Sequence, residues 1–222
     1  MRHPKNLDLR LYVLLDPAVA GGHTLSELAH AVAGQATLVQ LRDKMGGTRA
    51  MVEEARALRA ILEPAGVPFL VNDRVDVALA AKADGVHIGQ DDMAPRDARL
   101  LLGSRAVIGL SVKTVAEAAA APLELIDYVA IGGVYATTSK ADASAPIGLD
   151  GLRAVAQAVR ARQHDFLMGA IGGINERNAG NAVIAGADGV AVISAISLAA
   201  DPGRAAKALR AAVDDARKRR SP

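Results

Sequence analysis

The chain has no cysteine, and aromatic residues make up only 2% of its 222 positions. The first absence excludes disulfides, thiolate metal sites and cysteine nucleophiles, and it fits a reducing compartment. The second removes the aromatic platforms on which nucleic-acid-binding proteins stack bases. It also leaves the core to be built from Ala, Val, Leu and Ile. No apolar run approaches the ~18 residues that read as a membrane span. The polar opening stretch, Met1 to Arg10, lacks the apolar centre of a signal peptide. A cytoplasmic protein with neither a membrane nor a nucleic-acid partner is therefore expected. An excess of one charge is also lacking: 26 Lys+Arg against 24 Asp+Glu leaves +2. Much of the basic surplus sits in Arg217-Lys218-Arg219-Arg220, which reads as the solvated end of a last helix.

What is present is alternation. Short β-branched runs fall at Leu11–Leu15, Ala36–Leu41, Pro68–Val71, Gly85–Ile88, Ala106–Ser111, Tyr128–Ile131, Phe166–Ile171 and Val190–Ile193. Helix-period, Ala-rich stretches lie between them at Leu25–Ala33, Thr48–Leu62, Arg74–Lys82, Ala94–Leu102, Val115–Ala121, Gly151–Ala161, Glu176–Ala185 and Gly203–Arg217. The repeat is that of βα units. An internal echo agrees: Ala83-Asp84-Gly85-Val86 and Ala187-Asp188-Gly189-Val190 each end a helix and open a strand. Such a series closes into a barrel or opens into a doubly wound sheet. No Gly-rich dinucleotide fingerprint follows the first strand, where Leu15-Asp16-Pro17 stands instead. The expected fold is α/β, a single (β/α)8 TIM barrel spanning about residues 11–216, with no linker and no second domain.

In such a barrel, polar residues at C-terminal strand ends face the active site. The second strand ends Gln40-Leu41-Arg42-Asp43-Lys44. With a period of two, Gln40, Arg42 and Lys44 share one side and Leu41 and Asp43 the other. Two cations there suit a polyanion such as a diphosphate; the bland alternative pairs them with Asp43 in solvent. The third strand ends Asn72-Asp73 and the fourth runs into Gln90-Asp91-Asp92. Neighbouring carboxylates repel unless a hard cation sits between them, and magnesium takes one or two such ligands with substrate phosphates. Equally, Asn72-Asp73 makes a turn and Asp91 or Asp92 caps a helix. His87 reads as a packed, hydrogen-bonded strand histidine. Ser111 ends the fifth strand as a possible phosphate donor, with no activating base evident beside it.

The stretch after the sixth strand, from Gly132 through Tyr135, Thr137, Thr138, Ser139 and Lys140 to Pro146, has no apolar period. Its hydroxyls and lysine suit an anion-binding lid. The seventh and eighth strands run into Gly172-Gly173 and Ser194, in the loops where barrels often hold a phosphate monoester. Two anion sites on one rim are expected, one metal-assisted and suited to diphosphate, the other suited to a phosphate monoester.

Taken together, Gln40 to Lys44, Val71-Asn72-Asp73, His87 to Asp92, Gly109-Leu110-Ser111, Thr137 to Lys140, Ile171-Gly172-Gly173 and Val192-Ile193-Ser194 resemble the thiamine phosphate synthase family. The resemblance keeps the order of every segment from about Leu11 to the last helix. It implies condensation of hydroxymethylpyrimidine diphosphate with a thiazole phosphate, giving thiamine phosphate and diphosphate. It further implies that Gln40, Leu41, Arg42, Asp43 and Lys44, with Asn72, Ser111 and Lys140, hold the pyrimidine diphosphate. Arg42, Lys44, Ser111 and Lys140 would act in catalysis. Asp73 and Asp92 would bind Mg2+, and Thr137, Thr138, Ser139, Gly173, Ile193 and Ser194 would hold the thiazole phosphate. Two departures stand in the lid, where Gly133 replaces a proline and Ser139 a threonine. Lys113 stands where relatives often carry histidine, the position that the related thiazole tautomerase is expected to use; this favours the synthase. Two rival readings remain: a sugar-phosphate isomerase or synthase of the tryptophan-biosynthesis kind, which needs no Asp73/Asp92 pair, and a non-catalytic barrel that senses thiamine precursors. Assembly into a homo-oligomer is left open.

Overall fold

The computed structural model describes residues 7–137 and 145–220. Eight parallel strands close into a barrel in chain order, β1 (Leu11–Leu15), β2 (Leu38–Leu41), β3 (Phe69–Asn72), β4 (Gly85–Ile88), β5 (Val107–Val112), β6 (Tyr128–Ile131), β7 (Leu167–Ile171) and β8 (Gly189–Val192). The seam is shut by β1 pairing with β8, Leu11 opposite Val190. Around it lie α1 (Leu25–Val32), α2 (Thr48–Leu62), α3 (Val75–Ala81), α4 (Pro95–Leu102), α5 (Val115–Ala120), α6 (Gly148–Arg162), α7 (Ala179–Ile184), α8 (Ser194–Ser197) and α9 (Pro202–Arg220). The expected (β/α)8 barrel is therefore the observed architecture.

Strand parity divides the apolar residues into two layers. Val13, Val39, Leu41, Val71, Val86, Ile88, Ile108, Val129, Ile131, Val190 and Val192 face outward and pack with the helices. Tyr12, Leu14, Leu38, Leu70, Tyr128, Ala130 and Ala191 face inward and fill the barrel. Gly109 is what admits Tyr128: a Cβ there would stand 2.1 Å from the Tyr128 ring. Leu9 seals the bottom, its carbonyl lying where a side chain on Gly189 would be.

The sequence echo has a structural meaning. Asp84 accepts the Phe69 N–H at 2.9 Å, Asp127 the Ile108 N–H at 2.8 Å and Asp188 the Met168 N–H at 3.0 Å, while the Thr37 hydroxyl accepts the Leu11 N–H at 3.0 Å. Each residue just before an even-numbered strand thus satisfies a bottom N–H of the odd-numbered strand before it.

Three expectations need correction. α7 begins at Ala179, not Glu176, because Asn175 and Asn178 fold the preceding residues into a turn, Asn178 Oδ1 accepting the Asn175 N–H at 2.8 Å. α8 is an additional short helix after β8. The basic end of α9 is only partly solvated. Arg220 donates to Asp188 at 2.9 Å and to the Val183 carbonyl at 2.9 Å, and Arg217 donates to the Asp188 carbonyl at 2.5 Å. No helix among the described residues is long and apolar enough to cross a membrane.

Candidate active site

A cavity of about 400 Å³ opens at the C-terminal ends of the strands, where a barrel of this type carries its chemistry. Gln40, Arg42, Asn72, Ser111, Thr137, Gly173, Ile193 and Ser194 all line it, so eight of the expected residues meet in one place. Thr138, Ser139 and Lys140 lie outside the described residues.

On the β2 side, parity works as expected up to Arg42. Gln40 is fully buried and points inward; Leu41 points outward into the helix layer, so its side chain faces away from the cavity. Asp43 is bonded within its own loop: its Oδ1 accepts the Met45 and Gly46 N–H groups at 2.9 and 2.7 Å, and so shapes the loop before α2. Neither cation pairs with Asp43. Arg42 is ion-paired with Asp16, whose other oxygen accepts the Ala18 N–H at 2.9 Å. Lys44 is ion-paired with Asp73. Asp16, the residue that occupies the fingerprint position after β1, thus aims a guanidinium into the cavity.

Asp73, Asp92 and Lys44 form a compact cluster on the rim. Asp73 adopts a left-handed backbone with φ 58°, uncommon for a residue with a side chain and concentrated at functional positions. Burial raises its carboxyl above the ordinary range, and the hydrogen-bonded carboxyl of Asp92 raises it further, against the opposing charge of Lys44. At Asp92, burial pulls upward, but the bond from Asp73, the Gly89 N–H and the Lys44 charge more than offset it, so its carboxyl is lowered. The two carboxyls share a hydrogen bond and are shifted in opposite directions, as crowded carboxylates are. Among the described residues no group of three or more His, Cys, Asp or Glu gathers for a metal. Two carboxylates suit magnesium, which fills its shell with water and phosphate oxygens.

The opposite wall is built by glycines. Gly133, Gly172 and Gly173 have φ of 70°, 112° and 61°, and a Cβ on Gly173 would stand 2.2 Å from the Ala136 carbonyl. The backbone after β6 and the backbone after β7 can pack this closely on each other only because no side chains intervene. Ile193 and Ser194 complete this wall at the start of α8.

Sequence reading passed over Tyr12, which lines the cavity, and Tyr128, which is bonded to it. Tyr12 and Tyr128 look like core aromatics, but their hydroxyls meet at 2.9 Å at the cavity floor. His87 is packed and hydrogen-bonded as expected, yet its Nε2 lies 2.9 Å from Ser111 Oγ, so a ring nitrogen does stand beside that hydroxyl. Its other nitrogen faces Tyr128 at 2.9 Å instead of a carboxylate, so no Ser-His-Asp arrangement is formed. Asp91 lines the cavity, whereas Asp92 Oδ2 accepts the Gly89 N–H of its own loop at 2.8 Å. Lys113 donates to the Ala145 carbonyl at 3.1 Å and packs along Gly133. Only inward parity could have pointed to Tyr12, His87 and Tyr128, and that signal also marks ordinary core.

A closed parallel barrel with a cavity at the C-terminal ends of its strands, lined by cations and glycine-rich backbone, places the chain in the TIM-barrel class. Comparison with known proteins narrows this. Residues 11–196 match the model of the thiamine monophosphate synthase family. Thiamine-phosphate synthase of Xanthobacter autotrophicus is 52% identical over 96% of this chain and 100% of its own length, and that of Chloroflexus aurantiacus is 49% identical over 93% and 94%. Thiamine phosphate pyrophosphorylase from Pyrococcus furiosus superposes with a TM-score of 0.82 at 38% identity, covering 94% of this chain and 96% of that one. A 3-hexulose-6-phosphate synthase, with a TM-score of 0.61 and 21% identity, shares the fold. The chain belongs to the thiamine monophosphate synthase family and is a transferase of thiamine biosynthesis.

Proposed function

We propose that this chain joins 4-amino-2-methyl-5-hydroxymethylpyrimidine diphosphate to a thiazole phosphate, forming thiamine phosphate and releasing diphosphate. The observation that carries the reading is the juxtaposition of Lys44 with Asp73 and Asp92 beside a cavity into which Arg42 reaches. Magnesium, held by Asp73 and Asp92, would supply charge neutralisation for the leaving diphosphate. Arg42, fixed by Asp16, would take up negative charge as the C–O bond to diphosphate breaks. Asn72 and Ser111 add neutral donors on the same side. The electron-rich aminopyrimidine carries the positive charge at its methylene until the thiazole nitrogen adds, so no protein nucleophile is required. Gly173, Ile193 and Ser194, with Thr137, would hold the thiazole phosphate on the facing wall; Thr138 and Ser139 would join them, and Lys140 would join the residues that hold the pyrimidine diphosphate.

The test is release of diphosphate by the purified chain given both precursors, with and without a chelator. Release that requires both precursors, stops on chelation and returns with magnesium supports the reading. Sugar-phosphate isomerisation without metal, or binding without turnover, would replace it with one of the two rival readings.

A further inference from the structure

The two cations that follow β2 are held in opposite ways. Gln40, Arg42 and Lys44 alternate with Leu41 and Asp43, yet Gln40 and Arg42 line the cavity and Lys44 does not. Arg42 is fixed: its side chain is 13% exposed, and its ion-pair partner Asp16 only 2%. Lys44 is 52% exposed on a flexible stem, and its ammonium is turned to Asp73 Oδ2.

The carboxylate that Lys44 holds is one that the proposed function gives to magnesium. Asp73 also shares a hydrogen bond with Asp92, whose Oδ2 accepts the Gly89 N–H at 2.8 Å. Both carboxyls of the pair are thus engaged by the protein itself. A divalent cation that comes to Asp73 meets an ammonium on the same group, which competes for the oxygen and repels the ion's charge. A diphosphate in the cavity offers that ammonium another anion.

We infer that Lys44 is a swinging counter-ion, paired with Asp73 until a divalent cation takes that carboxylate, and then turned to the diphosphate. The inference rests on the proposed function for the identity of both ligands. Arg42 is unsuited to such a swing, because Asp16 holds it from a closed site; Lys44 is suited to it, because its stem lies half in solvent. The swing couples the two ligands. A cation at Asp73 frees the ammonium for the diphosphate, and a diphosphate that draws the ammonium away bares Asp73 for the cation. Each therefore tightens the other, reciprocally. The same device weakens the acidic pair's hold on a cation that arrives alone.

Binding of Mn2+ to the full-length protein, with no phosphate present, tests this without turnover. Lys44→Met should bind Mn2+ about tenfold more tightly than the unsubstituted protein, and Lys44→Gln, which keeps a polar side chain, should do the same. Equal or weaker binding in both variants would overturn the inference. The Lys44 1Hε–13Cε resonance, assigned by its loss in Lys44→Met, reports the swing itself. It should shift on titration with Mg2+, and Asp73→Asn should shift it with no Mg2+ added. A resonance unmoved at saturating Mg2+ would equally overturn the inference. Asp73→Asn also separates the two levels of the argument. If it binds Mn2+ as well as the unsubstituted protein does, the metal-ligand reading fails and the swing with it. If it loses Mn2+ while Lys44→Met gains nothing, the metal-ligand reading stands and the swing alone is lost.

Discussion

Asp16 grips Arg42 from a nearly closed site: its side chain is 2% exposed, and its two oxygens divide between the guanidinium and the Ala18 N–H. The first βα turn thereby orients a cation that belongs to the second strand. A guanidinium is well suited to such a task because its planar fork fixes direction as well as charge.

Asp16→Ala should therefore weaken both structure and chemistry. Loss of a cap and of a charged hydrogen bond should cost about 2 kcal/mol in urea unfolding. With Arg42 free to wander, KM for the diphosphate substrate should rise about tenfold. An unchanged urea midpoint with unchanged kinetics would remove Asp16 from the site.

At Asp73 the substitution has to respect the backbone. Asparagine tolerates φ 58° far better than alanine, so Asp73→Asn removes the charge without adding strain. Turnover should fall by at least about 100-fold, while thermal stability stays within about 1 kcal/mol. Near-normal turnover at saturating magnesium would eliminate the metal-ligand role.

The glycine wall can be tested at one atom. Gly173→Ala sets a methyl group against the Ala136 carbonyl, 2.2 Å away, at a φ of 61°. KM for the thiazole phosphate should rise about 10- to 100-fold as the wall shifts. Gly22→Ala is the control: its φ is 89° but its Cβ meets nothing within 4 Å. It should cost about 1 kcal/mol in stability and leave the kinetics unaltered.

Arg220→Ala addresses the basic end of α9. The side chain bonds the Asp188 carboxylate and the carbonyls of Val183 and Ala187, far from the cavity. A loss of about 1–2 kcal/mol on thermal unfolding is expected, with kcat and KM unchanged. No destabilisation would restore the reading of a merely solvated tail.

The fold was legible because strand periodicity and helix periodicity alternate along the whole chain, and because parallel strands buried on both faces are rich in Val, Ile and Leu. Much of the cavity was legible for the same reason: parity alone puts Gln40 and Arg42 on the inner side of β2. Parity gives out once a strand ends: two residues past β2, the Asp43 carboxylate is bonded to backbone N–H groups of its own loop. Asp16 was missed because its partner lies 26 residues away, and nothing local marks such a pair. Tyr12 and Tyr128 were missed because a tyrosine in a strand announces its ring, not the company its hydroxyl keeps.

The ties at Thr37, Asp84, Asp127 and Asp188 link strands in twos: β1 with β2, β3 with β4, β5 with β6, β7 with β8. The molecule is in this sense a ring of four quarter-turn modules: the backbone ladder runs all the way round, and these side-chain ties fall within each module. A circular permutant opened in the loop between α2 and β3 severs no stitch, whereas one opened between α1 and β2 divides the Thr37 pair. The former should refold more completely, and the order in which the cylinder comes together should follow the same quarters.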